Sequence, residues 1–107
     1  MKQKHANRSR TEIVREILEI VNDYYIESDG VTRTKLTHRV YLSSAQLKEY
    51  LVLLTAHRLL VHNSTNRRYR MTKKGLRFLE IYYKLRDMIS EGEEVEQEID
   101  YSELPRM

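Results

Sequence analysis

The chain has 107 residues, 40% of them hydrophobic and 33% charged, which suits one domain with a small core. It contains no cysteine, so disulfides and thiolate metal sites are excluded, and no apolar run approaches the roughly 18 residues of a membrane span. The formal net charge of +3 conceals an asymmetry: residues 1–90 carry 18 Lys and Arg against 9 Asp and Glu, whereas residues 91–107 carry 7 acids against Arg106 alone.

In chain order, residues 1–8 read as a basic flexible arm without apolar periodicity. Such arms reach nucleic-acid phosphates in some proteins, but terminal lysines without a role are commoner, and that reading is favoured. Ser9-Arg10-Thr11-Glu12 is a capping box, in which the serine hydroxyl and the Glu12 carboxylate satisfy backbone donors reciprocally. Ile13, Ile17, Val21 and Tyr24 follow at helical spacing, widened by Val14, Leu18 and Tyr25, so a core-packed helix is expected to end near Ile26 at Ser28-Asp29-Gly30.

Thr32 is the next helix cap, with Val31 and Leu36 at the spacing of a hydrophobic staple; Val31 alternatively starts a short strand. This second helix is expected over Arg33 to Val40. Tyr41-Leu42-Ser43 makes a turn, and Ser43-Ser44-Ala45-Gln46 is a second capping box with Leu42 and Leu47 at staple spacing. The third helix runs from Ser44 to about His57 and buries Leu47, Tyr50, Leu51 and Leu54, leaving Ser44, Ala45, Gln46, Lys48 and Glu49 outside.

Leu59-Leu60-Val61-His62 reads as a strand, Asn63-Ser64-Thr65-Asn66 as a turn, and Arg67 to Met71 as the returning strand. Alternation puts Arg68 and Arg70 on one face and Tyr69 and Met71 on the other. Thr72 caps the last helix, whose first turn holds Lys73 and Lys74 against the helix dipole, a placement that a phosphate would relieve. Leu76, Leu79 and Tyr83 are suited to closing the core. Phe78, Tyr82, Leu85 and Ile89 form a second stripe with 4-3-4 spacing, the pattern of a short coiled-coil seam, so these four are the expected dimer interface. The segment 91–107 is expected to be an acidic, disordered tail.

Two capped helices joined by a tight turn and followed by a basic hairpin have the layout of a winged helix-turn-helix. The expected fold is mainly α with a small β-hairpin, with an arm over 1–8, the winged domain over 9–72, an extended C-terminal dimerisation helix over 73–90 and the tail over 91–107. On this layout Arg33, Lys35 and Lys73 face phosphates, Ser44 and Gln46 face bases, with Gln46 suited to adenine, and Lys48 faces guanine or phosphate. Arg67, Arg68 and Arg70 form a cationic wing, although charged residues also protect ordinary edge strands.

The order of capped helix, Thr-Arg-Thr-Lys-Leu, Tyr-Leu-Ser-Ser, leucine-rich helix and Tyr-Arg-Met-Thr-Lys-Lys-Gly-Leu resembles archaeal winged-helix proteins, over about Ser9 to Ile89. That family includes predicted transcriptional regulators and small chromatin-associated proteins that dimerise through a long C-terminal helix. The resemblance implies contacts to double-stranded DNA from Ser43, Ser44, Gln46, Lys48, Arg67, Arg68 and Arg70. The acidic tail departs from a packaging protein and favours a regulator, cytoplasmic and nucleoid-associated.

Other classes are open to the same residues. A winged-helix adaptor would use the last helix for protein contacts, and a weakly specific chromatin role would need only the basic face. An enzyme is not expected: His5, His38, His57 and His62 are scattered without metal-ligand spacing, and no nucleophile elbow or glycine-rich phosphate loop is present. No cofactor or metal is expected. Tyr24, Tyr25, Tyr82 and Tyr83 lining an effector pocket is a weaker idea, since aromatic stripes are usually core.

Overall fold

The computed structural model describes residues 8–24 and 29–91. Most of the basic arm and nearly all of the acidic tail therefore lie outside the described residues, as do Tyr25, Ile26 and Ser28. Helix α1 spans Arg10–Asp23, strand β1 Val31–Thr32, helix α2 Arg33–Val40, helix α3 Ser44–Ala56, strands β2 Leu60–Asn63 and β3 Arg68–Met71, and helix α4 Lys73–Glu91. The three strands make one antiparallel sheet in the order β1-β3-β2. The fold is thus mainly helical with a small sheet and a long C-terminal helix, as the capping and periodicity predict.

Each helix start is local chemistry. Ser9 accepts from the Glu12 amide while Glu12 accepts from the Ser9 amide, and Ser43 and Gln46 repeat the arrangement at α3. Thr32 accepts from the Lys35 amide, and Val31 and Leu36, the staple pair, are both buried. Val31 also pairs with Tyr69, so both readings of Val31 hold at once: it is a strand residue and half of the staple.

The first helix ends earlier than the apolar pattern predicts, at Asp23 with Tyr24 as its C-cap. The Gly30 amide donates to the Tyr24 carbonyl at 3.2 Å, and the Tyr24 ring lies beneath Lys35 and Arg39 of α2. Asp29 and Gly30 both have positive φ (57° and 114°). A Cβ on Gly30 would stand 2.7 Å from the Tyr69 carbonyl oxygen, so β1 can meet β3 only because this position has no side chain.

The core combines Ile17, Leu18 and Val21 of α1, Leu36 and Val40 of α2, Leu47, Leu51 and Leu54 of α3, Leu60 and Met71 of the hairpin and Leu79 of α4. Truncating any of the fully buried leucines to alanine is a change of about 2–5 kcal/mol. The hairpin is offset by one residue from the expected strands, because Arg67 sits in the turn with φ 59° rather than in β3. Asn63 organises that turn: its carbonyl accepts from Arg67 N–H at 2.7 Å and its side chain from Thr65 N–H at 2.8 Å.

Thr72 starts α4, accepting from the Gly75 amide (3.0 Å) and donating to the Arg58 carbonyl (2.7 Å). Leu79 is buried and Tyr83 half-buried, as expected for the core side. Leu76 is not. It is exposed at the mouth of a cavity of about 410 Å³ between α1 and α4, also lined by Glu19, Asp23, Glu80 and Tyr83. Tyr83 donates to Glu19, which also accepts from Arg15 at 2.9 Å, and the Arg15 guanidinium lies over the Tyr82 ring. The tyrosines of the effector idea are therefore split, with Tyr24 against α2 and the other described pair against α1. Among the described residues no helix is long and apolar enough to cross a membrane.

Candidate nucleic-acid interface

Helix α3 buries Leu47, Leu51 and Leu54 and presents Ser44, Ala45, Lys48, Glu49, Val52 and Ala56 outward. Val52, 59% exposed, sits in the middle of this face, an apolar residue off the leucine stripe. Beside it lie two adjoining depressions that share Arg33, His62 and Tyr69. One, of about 190 Å³, adds Lys48, Leu51, Val52 and Thr55; the other, of about 610 Å³, adds Thr32, Thr34, Ser64 and Arg67. Together they form a cleft between α3 and the outer face of the hairpin. No acidic side chain lines it.

The pairing register makes this cleft. His62 and Tyr69 are antiparallel partners, so both rings project from one face of the sheet, with centroids 4.5 Å apart and planes at 37°. Burial pushes the Tyr69 hydroxyl above its ordinary pKa, against the opposing influence of the Arg33 charge, so the phenol is neutral at physiological pH.

The expected site residues fall into two groups. Arg33, Ser44, Lys48 and Arg67 converge on α3 and the cleft, and Arg33 donates to the Ser44 hydroxyl at 3.1 Å. Lys35 and Arg68 lie on the opposite side of the sheet in a smaller depression with Tyr24 and Gly30, and Arg70 pairs with Asp29 at 3.5 Å. The three wing arginines therefore do not form one cluster; alternation along β3 and the turn conformation of Arg67 separate them. Lys73 is exposed in the first turn of α4, while its neighbour Lys74 donates to the His57 carbonyl at 2.8 Å.

Ser43 and Gln46 are committed to the cap. The Gln46 amide oxygen accepts from Ser43 N–H at 3.1 Å, so a bidentate adenine contact, which needs that oxygen or its equivalent geometry, requires Gln46 to leave the capping box. Val52, Thr55, His62 and Tyr69 were not anticipated as site residues. The placement of Val52 between Lys48 and Glu49 on the polar face was the available sign; the His62–Tyr69 pair depends on a register that sequence spacing alone does not give.

The charge partners are distributed unevenly. Arg8, Arg15 and Arg39 pair with Glu16, Glu19 and Asp23 of α1, and Arg70 pairs with Asp29. Lys48, Arg67, Lys73 and Arg33 make no ion pair among the described residues, and the Arg33 guanidinium hydrogen-bonds Ser44. Arg33, Lys48 and Arg67 thus gather around a cleft with no acidic lining, a surface suited to a polyanion.

On α4, Phe78 and Tyr82 of the expected seam are half-buried against their own chain, whereas Leu85 (55%) and Ile89 (77%) are exposed. Ile81 and Met88, also exposed, extend the same stripe. Among the described residues no group of three or more His, Asp or Glu could hold a metal ion.

No curated protein matches the chain. A family profile described as winged helix-turn-helix matches residues 7–90, which takes in all four helices but for the last residue of α4, together with the hairpin. With the stapled and capped α2–α3 pair, the hairpin wing and this match over most of its length, the chain belongs to the winged helix-turn-helix family.

Proposed function

We propose that the protein is a DNA-binding transcriptional regulator that acts as a homodimer in the cytoplasm. Helix α3 enters the major groove, Arg33, Lys48 and Arg67 meet phosphates or base edges around it, and Lys73 adds a phosphate contact from the start of α4. The observation that carries this reading is the cleft beside α3, where Arg33, Lys48 and Arg67 gather with no acidic side chain in the lining. The exposed stripe Ile81, Leu85, Met88 and Ile89 supports pairing of α4 with a second copy, which would present two α3 helices to successive major grooves about 34 Å apart.

The test is duplex binding measured against salt. The logarithm of affinity should fall linearly with the logarithm of salt concentration, with a slope of about −0.9 for each phosphate neutralised. Replacing Lys48 and Arg67 together by Glu should abolish binding, and Arg70→Glu should weaken it less. A flat salt dependence, or binding that survives the double replacement, overturns the reading. The same exposed stripe also favours a second reading, an adaptor that binds another protein through α4; absence of any DNA binding by the wild type would decide for it.

A further inference from the structure

The cleft between α3 and the hairpin is more than a cationic surface. A duplex shows proteins the edges of its bases; the ring faces are covered by stacking and become available only where a nucleotide is unpaired. The features that hold an unpaired base are an aromatic platform and cations that track the backbone. Both are here: the His62 and Tyr69 rings lie side by side, tilted at 37° with centroids 4.5 Å apart, Val52 supplies an exposed apolar floor, and Arg33, Lys48 and Arg67 stand around the rim. His62 is exposed, so its ring is accessible from the cleft.

We infer that this cleft takes an unpaired nucleobase on the His62–Tyr69 pair, so that the protein prefers duplex DNA carrying a single-stranded end to continuous duplex. The inference rests on the DNA-binding reading and narrows it to a particular DNA structure. Phosphates on either side of the base meet Arg33 and Arg67, and Lys48 holds the adjoining duplex strand at α3. The neutral Tyr69 hydroxyl sets no negative charge against the backbone.

The experiment compares one blunt duplex with the same duplex bearing a short overhang that contains 2-aminopurine, using the full chain and its His62→Ala and His62→Phe variants. The overhang should tighten wild-type binding by roughly five- to a hundredfold, the worth of one stacked base, and quench the 2-aminopurine fluorescence. His62→Ala should lose the advantage and the quenching, weakening the overhang DNA more than the blunt duplex; His62→Phe, which keeps a stacking ring, should retain both. Equal wild-type affinity for the two DNAs overturns the inference, as does an equal loss on both with His62→Ala. An overhang advantage without quenching overturns it too, since phosphates alone would then explain the preference. Failure of the underlying reading looks different: neither DNA binds. Binding of the overhang DNA alone would uphold the cleft and remove the duplex regulator.

Discussion

The Arg8 guanidinium donates to the Val40 carbonyl at 3.1 Å and to the Tyr41 carbonyl at 3.0 Å, gripping the turn between α2 and α3 from just before α1. Its side chain is only 7% exposed and is ion-paired with Glu16. Tyr41 holds a left-handed conformation (φ 55°), which a glycine usually takes at a helix end, so the arginine satisfies carbonyls where the backbone is least favourable. Arg8→Ala should cost about 2–3 kcal/mol, the worth of charge-assisted hydrogen bonds left unmade. Arg8→Lys should recover less than half of that in denaturant unfolding, because a single ammonium nitrogen lacks the rigid fork that serves the two carbonyls from two guanidinium nitrogens.

Gly75 reverses an ordinary rule. In most helix positions Gly→Ala stabilises by about 0.5–1 kcal/mol. Here a Cβ would stand 2.4 Å from the Leu59 carbonyl oxygen and 3.1 Å from the Met71 sulfur. The first contact is with backbone that is itself held by Thr72, whose amide donates to that same oxygen at 3.3 Å. Gly75→Ala should therefore lower stability by about 1–3 kcal/mol, read as a lower thermal midpoint.

Gln46 should matter to the fold more than to sequence choice. With its amide oxygen in the capping box, Gln46→Ala should cost about 1 kcal/mol of stability. The base preferences recovered by selection from a random DNA pool should be unchanged. A shifted preference at one base position would show that Gln46 leaves the cap when DNA binds.

Tyr83 predicts an alkaline limb. Its hydroxyl is pushed up from its ordinary value to about 12, mainly by burial and then by its hydrogen bond to Glu19. A raised folded-state value means that the neutral form is favoured by folding. The stabilisation is therefore complete below about pH 10 and is lost as the pH climbs towards 12. The gap in unfolding free energy between wild type and Tyr83→Phe should be constant below pH 10 and close between pH 10 and 12.

Leu85 and Ile89 are too exposed to contribute much to the isolated domain. Replacing both by Glu should leave the fold's melting cooperative while converting a dimer to a monomer in sedimentation equilibrium, and DNA affinity should fall with the loss of the second half-site.

The sequence made the helices legible because their determinants are local. Ser9, Thr32 and Ser43 each act on an amide three residues away, and the leucine and isoleucine spacings reveal their own faces. The site was harder to read, since its determinants are not local. Arg8 and Tyr41 are separated by two helices. The cleft exists because α3 packs beside a hairpin whose register faces His62 with Tyr69. Arg67 was expected with its neighbours, but one left-handed residue swings it to the other side of the sheet. The two faces of α4 also could not be assigned from spacing, because Phe78 and Tyr82 serve the domain's own body while Leu85 and Ile89, in the same stripe, do not.

The pairing of β1 with β3 also has a mechanical side. The root of the hairpin is clamped in the core by Leu60 and Met71, but β1 braces its outer half through just two pairs, Val31 with Tyr69 and Thr32 with Arg68. The hairpin is thus a cantilever with a short strut, and Gly30 is where that strut is seated against the Tyr69 carbonyl. Because Thr32 of this strut also lines the cleft, a substitution that shifts the support should change the width of the cleft.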